Sequence, residues 1–338
     1  MSLTKKQLYF LIIAGILLPV LCLVHLFSGQ INIEFHDFSN SLFNYNNQDT
    51  NQIIVRELRI PRMLMAVIAG AGLSLAGLLM QTLFRNPLAG PSVLGITSGS
   101  TLGVALAVFA LNHLGMSVVS DKITLSILAV IGALIVTFLL LIISKFVKKS
   151  NTLLIIGLMI GYFVSSVVNV FSFLSDKTEL QSFVYWGLGS FDKEIEFSNL
   201  YFYYGVIVAL IIVIFFLQKP LNLLLMGEKY AVSLGLRLGR IRLIVIAIVG
   251  LLVGVITALC GPIAFLGIAT PHLARNFIKK SDHKWVIPFT LVLGASLGLV
   301  CDIISRLPGF ALDLPLNAVT SFIGAPIVVW IIFKNKMV

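Results

Sequence analysis

Residues 63–84 read MLMAVIAGAGLSLAGLLMQTLF, and residues 85–91 read RNPLAGP. The first stretch carries no charge over its whole length. An α-helix rises ~1.5 Å per residue, so such a run crosses a ~30 Å hydrocarbon core. The second stretch stops it. Pro87 cannot continue a helix, and Pro91 suits the first turn of the next.

The same pattern repeats outward in both directions. Apolar residues make up 58% of the 338, charged residues 11%, and mean hydropathy is +1.03. Soluble domains carry roughly 25% charged residues. Lipid must therefore solvate much of this chain, and long unbroken apolar runs in lipid must be helices. Ten such runs are read at 8–27, 63–84, 93–111, 123–144, 152–174, 199–217, 241–259, 262–278, 285–304 and 316–333. The first follows Lys5 and Lys6, but it is long for a signal peptide and no A-x-A site follows, so it reads as a retained span. The expected fold is all-α with about ten transmembrane helices, in a single domain over 1–338.

Charge sets the orientation. With the N-terminus inside and the spans alternating, most of the 24 basic residues fall on inner segments, while Glu228 and Asp282 are the only acidic residues there. Both termini are then cytoplasmic, and the net charge of +10 is topological rather than a nucleic-acid footprint. Small residues at helical spacing, such as Gly70 with Ser74, Gly250 with Gly254 and Gly294 with Gly298, allow close helix packing. Residues 90–97 (GPSVLGIT) and 261–270 (GPIAFLGIAT) resemble one another, one at an inner joint and one at an outer joint. That predicts two inverted halves, about 1–174 and 175–338, an arrangement common in transporters.

Catalytic chemistry is missing from the pattern. There is no P-loop and no H-E-x-x-H. Cys22, Cys260 and Cys301 lie in or beside apolar runs without metal-ligand spacing. The histidines, His25, His36, His113, His272 and His283, are scattered; His272 reads as a structural residue near a helix end. Asp302 is the one carboxylate near a span interior, close to Arg306. Ion-coupled transporters keep ionisable groups at membrane depth, so the energy source should lie elsewhere. The longest inner stretch, about 218–240, holds a short amphipathic segment ended by Gly235. Such a helix seats in a groove on a soluble partner or lies on the membrane, and the pattern leaves both open.

A set of short motifs runs along the chain: LRIPR at 58–62, Met80-Gln81, RNPLAGP at 85–91, Leu94-Gly95, Gly227-Glu228 with Ala231 and Leu234-Gly235, Gly261-Pro262, Phe265-Leu266-Gly267, PHLAR at 271–275, Asp282-His283, Leu314-Pro315 and Gly324-Ala325-Pro326. Taken together they resemble the FecCD family of permease subunits, from ATP-binding-cassette importers for iron–siderophore complexes, haem and vitamin B12. The motifs run in the family's order from 58 to 326.

The resemblance implies the type II importer permease fold and a second permease subunit, the same chain or a different one. It also implies two separate ATPase subunits carrying ATP and magnesium, and an extracytoplasmic binding protein, in a bacterial cytoplasmic membrane. The chain itself is then not an enzyme and holds no cofactor or metal. Gly227, Glu228, Ala231, Leu234 and Gly235 match the family's ATPase-coupling helix. Arg59, Arg62 and Arg306 match cations that meet glutamates on the binding protein, where an arginine fork orients a carboxylate. Ser165, Asn169 and Ser172 share one face of the fifth span, and Asn317, Thr320 and Ser321 one face of the tenth, which the family uses to line the path. A polar stripe must face protein or water rather than lipid. The reading is import of a ferric siderophore, with haem or cobalamin as alternatives. A secondary transporter is the rival of another class.

Overall fold

The computed structural model describes residues 5–29, 31, 33–46, 48–111, 122–147, 149–192, 197–306 and 313–336. His113 lies outside them. In chain order the helices are α1 (Lys5–Phe27), α2 (Phe35–Phe43), α3 (Thr50–Ile53), α4 (Ile60–Phe84), α5 (Ile96–Ala105), α6 (Lys122–Phe146), α7 (Ser150–Leu174), α8 (Lys177–Leu188), α9 (Phe197–Phe216), α10 (Gln218–Leu225), α11 (Glu228–Ser233), α12 (Leu238–Cys260), α13 (Leu266–Ile278), α14 (His283–Ser305) and α15 (Leu316–Lys336). No strand occurs among the described residues.

Each of the ten predicted runs falls on one of these helices. They differ in reach. The helix through α4, and α6, α7, α12 and α14, are long and apolar enough to cross a membrane alone, and α9 with α10 forms a further span bent by 56°. The run predicted over 262–278 is different. Residues 261–265 have no regular structure, and only the 13 residues of α13 are helical. Gly261 at φ +73° and Phe265 at φ +66° turn the chain before the helix starts. A side chain at Gly261 would stand 2.5 Å from the Trp186 carbonyl oxygen, which explains the glycine.

Helices α4 and α12 form the centre, each 78% buried over its apolar window, whereas α7 is 22% buried. Packing repeats between the halves. Helix α4 packs on α14 as α12 packs on α6; α5 on α6 as α13 on α14; α5 on α7 as α13 on α15; α4 on α13 as α12 on α5. The correspondence α4/α12, α5/α13, α6/α14 and α7/α15 is what two related halves produce. Small residues make these crossings close. A Cβ at Gly70 would lie 2.3 Å from the Gly294 carbonyl oxygen, and one at Gly250 would lie 2.2 Å from the Thr137 methyl. Lipid gives no hydrophobic drive between helices, so such approach supplies dispersion contacts instead.

Candidate transport and coupling sites

At the end that the charge pattern expects to face outward, the outer end below, the first turn of α4 meets the last turn of α14. Arg62 binds both Asp302 oxygens, with Nε 2.9 Å from Oδ2 and Nη2 3.1 Å from Oδ1. Its Nη1 reaches Asp313 at 2.8 Å and Asp192 at 3.2 Å. Asp302 also accepts from His25 Nε2 at 2.7 Å, and Arg306 stands 3.3 Å away. Arg59 donates to the carbonyls of Leu26 and Ile31, and Arg306 to those of Ser28 and His25. Those carbonyls belong to the last turn of α1 and the chain just beyond it. A helix C-terminus leaves such groups unbonded and favours cations.

None of the three arginines expected to meet a binding protein stands free in this chain. Arg59 is 5% exposed, Arg62 8% and the Arg306 side chain 7%. All three close the outer end of their own chain. A buried carboxylate needs opposite charge and hydrogen bonds, and Asp302 at 1% exposure has both. Arg56 is the exposed cation of this segment, over the Tyr45 ring at 4.2 Å.

At the opposite end, expected to face inward and called the inner end below, the start of α12 meets the link between α6 and α7. Arg242 donates to the Val147 carbonyl at 2.6 Å and the Ser150 hydroxyl at 3.2 Å, and lies 3.6 Å from Glu228. Ser150 also donates to Glu228. Gly227 at φ +110° and Gly235 at φ +88° bracket α11, a conformation glycine adopts without penalty. Ala231 is buried beneath the segment. Met226, Tyr230, Val232 and Leu234 are half or more exposed, so the segment presents an apolar knob. A cavity of about 940 Å³ opens beside it, between residues 83–87 and the start of α7.

The knob is tied to the bundle through α10. The Asn222 side chain accepts from the His283 backbone at 2.9 Å and its amide donates to Asp282 at 2.7 Å. His283 in turn meets the Thr82 hydroxyl at 2.9 Å. The Lys284 backbone N–H, and then the Asn222 amide, hold the Asp282 carboxyl below its ordinary range. From α13, His272 reaches the Pro87 carbonyl at 2.7 Å and Arg275 the Gln81 side chain at 2.7 Å. The motif residues of 80–91, 271–275 and 282–283 thus form one hydrogen-bonded inner girdle.

The two polar stripes are placed apart. Ser165 and Asn169 are exposed on α7, and Ser172 donates to the Val168 carbonyl. On α15, Asn317 accepts from the Ala264 backbone at 3.1 Å, while Thr320 and Ser321 donate to the Asn317 carbonyl. The α15 residues therefore serve the outer joint at 261–265, where Phe265 also packs against Gly324. Only the α7 stripe is left open. Asn222, Arg242, Ser150, His25, Asp192 and Asp313 are site residues that sequence reading passed over; their partners lie far away in the chain.

A helical bundle of apolar spans with buried charge at one end and an exposed apolar knob at the other is the build of a multi-pass membrane subunit. Residues 17–334 match the model of the FecCD transport family. The chain belongs to that family, as a permease subunit of an ABC importer whose ATPase is a separate subunit. It is 35% identical over 288 residues to a Klebsiella pneumoniae protein named vitamin B12 import system permease protein BtuC, covering 84% of each chain. A Shigella boydii protein of the same name is 31% identical over 335 residues, covering 98% of this chain and 97% of its own. A solved structure described as a metal-chelate type ABC transporter in an inward-facing conformation matches with a TM-score of 0.83 at 29% identity, covering 96% of this chain and 99% of that one.

Proposed function

We propose that this chain pairs with a second permease subunit to carry a bulky metal chelate into the cytoplasm, with the termini on the cytoplasmic side. The observation that carries it is the α7 face bearing Ser165 and Asn169, exposed in a membrane span and left without a partner. Lipid cannot satisfy it, so a second subunit or a watery path must. Hydroxyls and an amide hold a large ligand weakly, which suits passage. Asp302, the carboxylate an ion-coupled mechanism would need, is already bound by His25, Arg62 and Arg306. That favours ATP as the energy source over an ion gradient.

The α10–α11 knob, with Gly227, Glu228, Ala231, Leu234 and Gly235, is the ATPase-coupling segment in this reading. Docking of an extracytoplasmic binding protein falls to the outer face above Arg59, Arg62 and Arg306. Asp192 and Asp313, 47% and 38% exposed, cover Arg62 there, so an acidic partner would have to displace them. A ferric siderophore remains the first substrate reading. Cobalamin is the second, supported by the names of the relatives. The test is uptake by cells lacking this chain and by cells with it restored, using labelled cobalamin, haem and ferric siderophores, with and without ATP depletion. Restored, ATP-dependent uptake of one chelate supports the proposal and names the ligand. Uptake that survives ATP depletion overturns it.

A further inference from the structure

A groove of about 480 Å³ runs between α5, α6 and α7. Its walls include Leu106, Leu128, Ile135, Ile160 and Phe163, and Gly132 lies at its floor; no polar side chain lines it. These residues sit near the middle of α6 and α7, and around residue 103 of the helical stretch that α5 continues to Leu111, so the groove lies at the depth of the hydrocarbon core. We propose that it is a binding site for one acyl chain of a membrane lipid.

Three observations favour that occupant. First, the lining offers nothing to water, and apolar cavities stay dry and take apolar guests. Second, Ile135 and Phe163 are 63% and 71% exposed, so the groove opens sideways out of the bundle. Third, α7 separates its two faces. At 100° per residue, Ile156, Ile160 and Phe163 lie on one side, and Ser165, Asn169 and Ser172 on the opposite side. The polar side must meet protein or water, which leaves the groove side to lipid.

The groove has a structural origin. Helices α5 and α6 are drawn together by Gly99, Gly103 and Gly132; a Cβ at Gly103 would stand 2.0 Å from the Leu128 carbonyl oxygen. Helix α7 comes close at Gly157 and Gly161, which meet Leu94 and Gly95 just before α5, and packs again at Val168 in the cluster with Val104 and Ala129. The groove lies between these two contacts. An acyl chain there completes the packing of α7 and so fixes where its polar stripe points.

The experiment is photolabelling of the full chain in vesicles of phosphatidylethanolamine and phosphatidylglycerol containing a trace of phosphatidylglycerol with a mid-chain diazirine. Labelled residues are mapped by peptide mass. The expected result is label concentrated on groove residues of α5, α6 and α7, lost several-fold in Leu128→Trp and in Ile160→Trp. These fill the groove from opposite walls, so a failure of one to fold leaves the other. Ile212→Trp, on the exposed face of α9, should change nothing. Label spread evenly over lipid-facing positions, or unchanged by both filling variants, overturns the proposal. So does a chain-to-chain cross-link from a photoreactive residue placed at 135, which would make a second copy the occupant.

Discussion

Two arginines stand at corresponding places in the two halves and meet different company. Arg62, in the first turn of α4, is surrounded by carboxylates and ends in a closed outer cluster. Arg242, near the start of α12, meets a backbone carbonyl, a hydroxyl and the carboxylate of Glu228. The outer end therefore spends its charge inside the chain, while the inner end uses charge to brace a knob whose apolar side chains stay exposed. The same helix-packing scheme has been fitted with a lock at one end and a lever at the other.

The largest effect should come from breaking the lock. Asp302→Asn leaves Arg62 and Arg306 buried with their central counter-charge gone. Removing one partner of a buried ion pair costs about 3–5 kcal/mol. Thermal unfolding of the purified chain in detergent should move down by several degrees or more, with a large loss of folded yield. An unchanged midpoint would show that the cluster does not hold the outer end.

Next is the lever. Tyr230→Asp and Leu234→Asp place charge in the middle of the exposed apolar knob. If the ATPase seats there, each should remove a central contact worth ~2 kcal/mol or more, weakening association ~30-fold. Co-purification of the ATPase subunit measures this, and the chain itself should remain folded because both side chains are half exposed. Full recovery of the ATPase with either variant would move the coupling site elsewhere.

Much of this was legible in the sequence. The ten apolar runs, the turns at 85–91 and 261–262, and the short helix ended by Gly235 could be read because lipid imposes long uninterrupted runs and glycine marks the breaks. The α13 run was read too long, since residues 261–265 are apolar enough to pass for membrane helix while turning at Gly261 and Phe265 and donating from the Ala264 backbone to Asn317. The outer arginines were legible as a group but not as buried, because the carboxylates around Arg62 lie 130 to 251 residues away along the chain, and the carbonyls that Arg59 and Arg306 meet lie at the far end of α1. Asp302 and His25, an acid and a histidine in apolar runs, were the signal that could have revealed the cluster.

The brace of the lever should respond more mildly. Arg242→Ala strips the Val147 carbonyl and Glu228 of a donor, at a cost of about 1–3 kcal/mol. The loss is local, so transport should fall more than stability. The check is ATP hydrolysis by the assembled transporter against substrate uptake. Hydrolysis without matching uptake is expected, and a parallel fall in both would make Arg242 a packing residue only.

The smallest effect tests where the lock ends. Asp192 and Asp313 share Nη1 of Arg62, yet both are well exposed, so water competes for each pair and salt screens it. Asp192→Asn should therefore cost only ~0.2–1 kcal/mol, against several for Asp302→Asn at the same guanidinium. The difference between the two variants, measured by thermal unfolding at low and high salt, separates a buried core of charge from its wet rim. The Asp192 effect should shrink as salt rises, and the Asp302 effect should not. If Asp192→Asn proves as damaging as Asp302→Asn, the rim carboxylates are part of the lock itself, and an acidic partner could not displace them without opening the outer end.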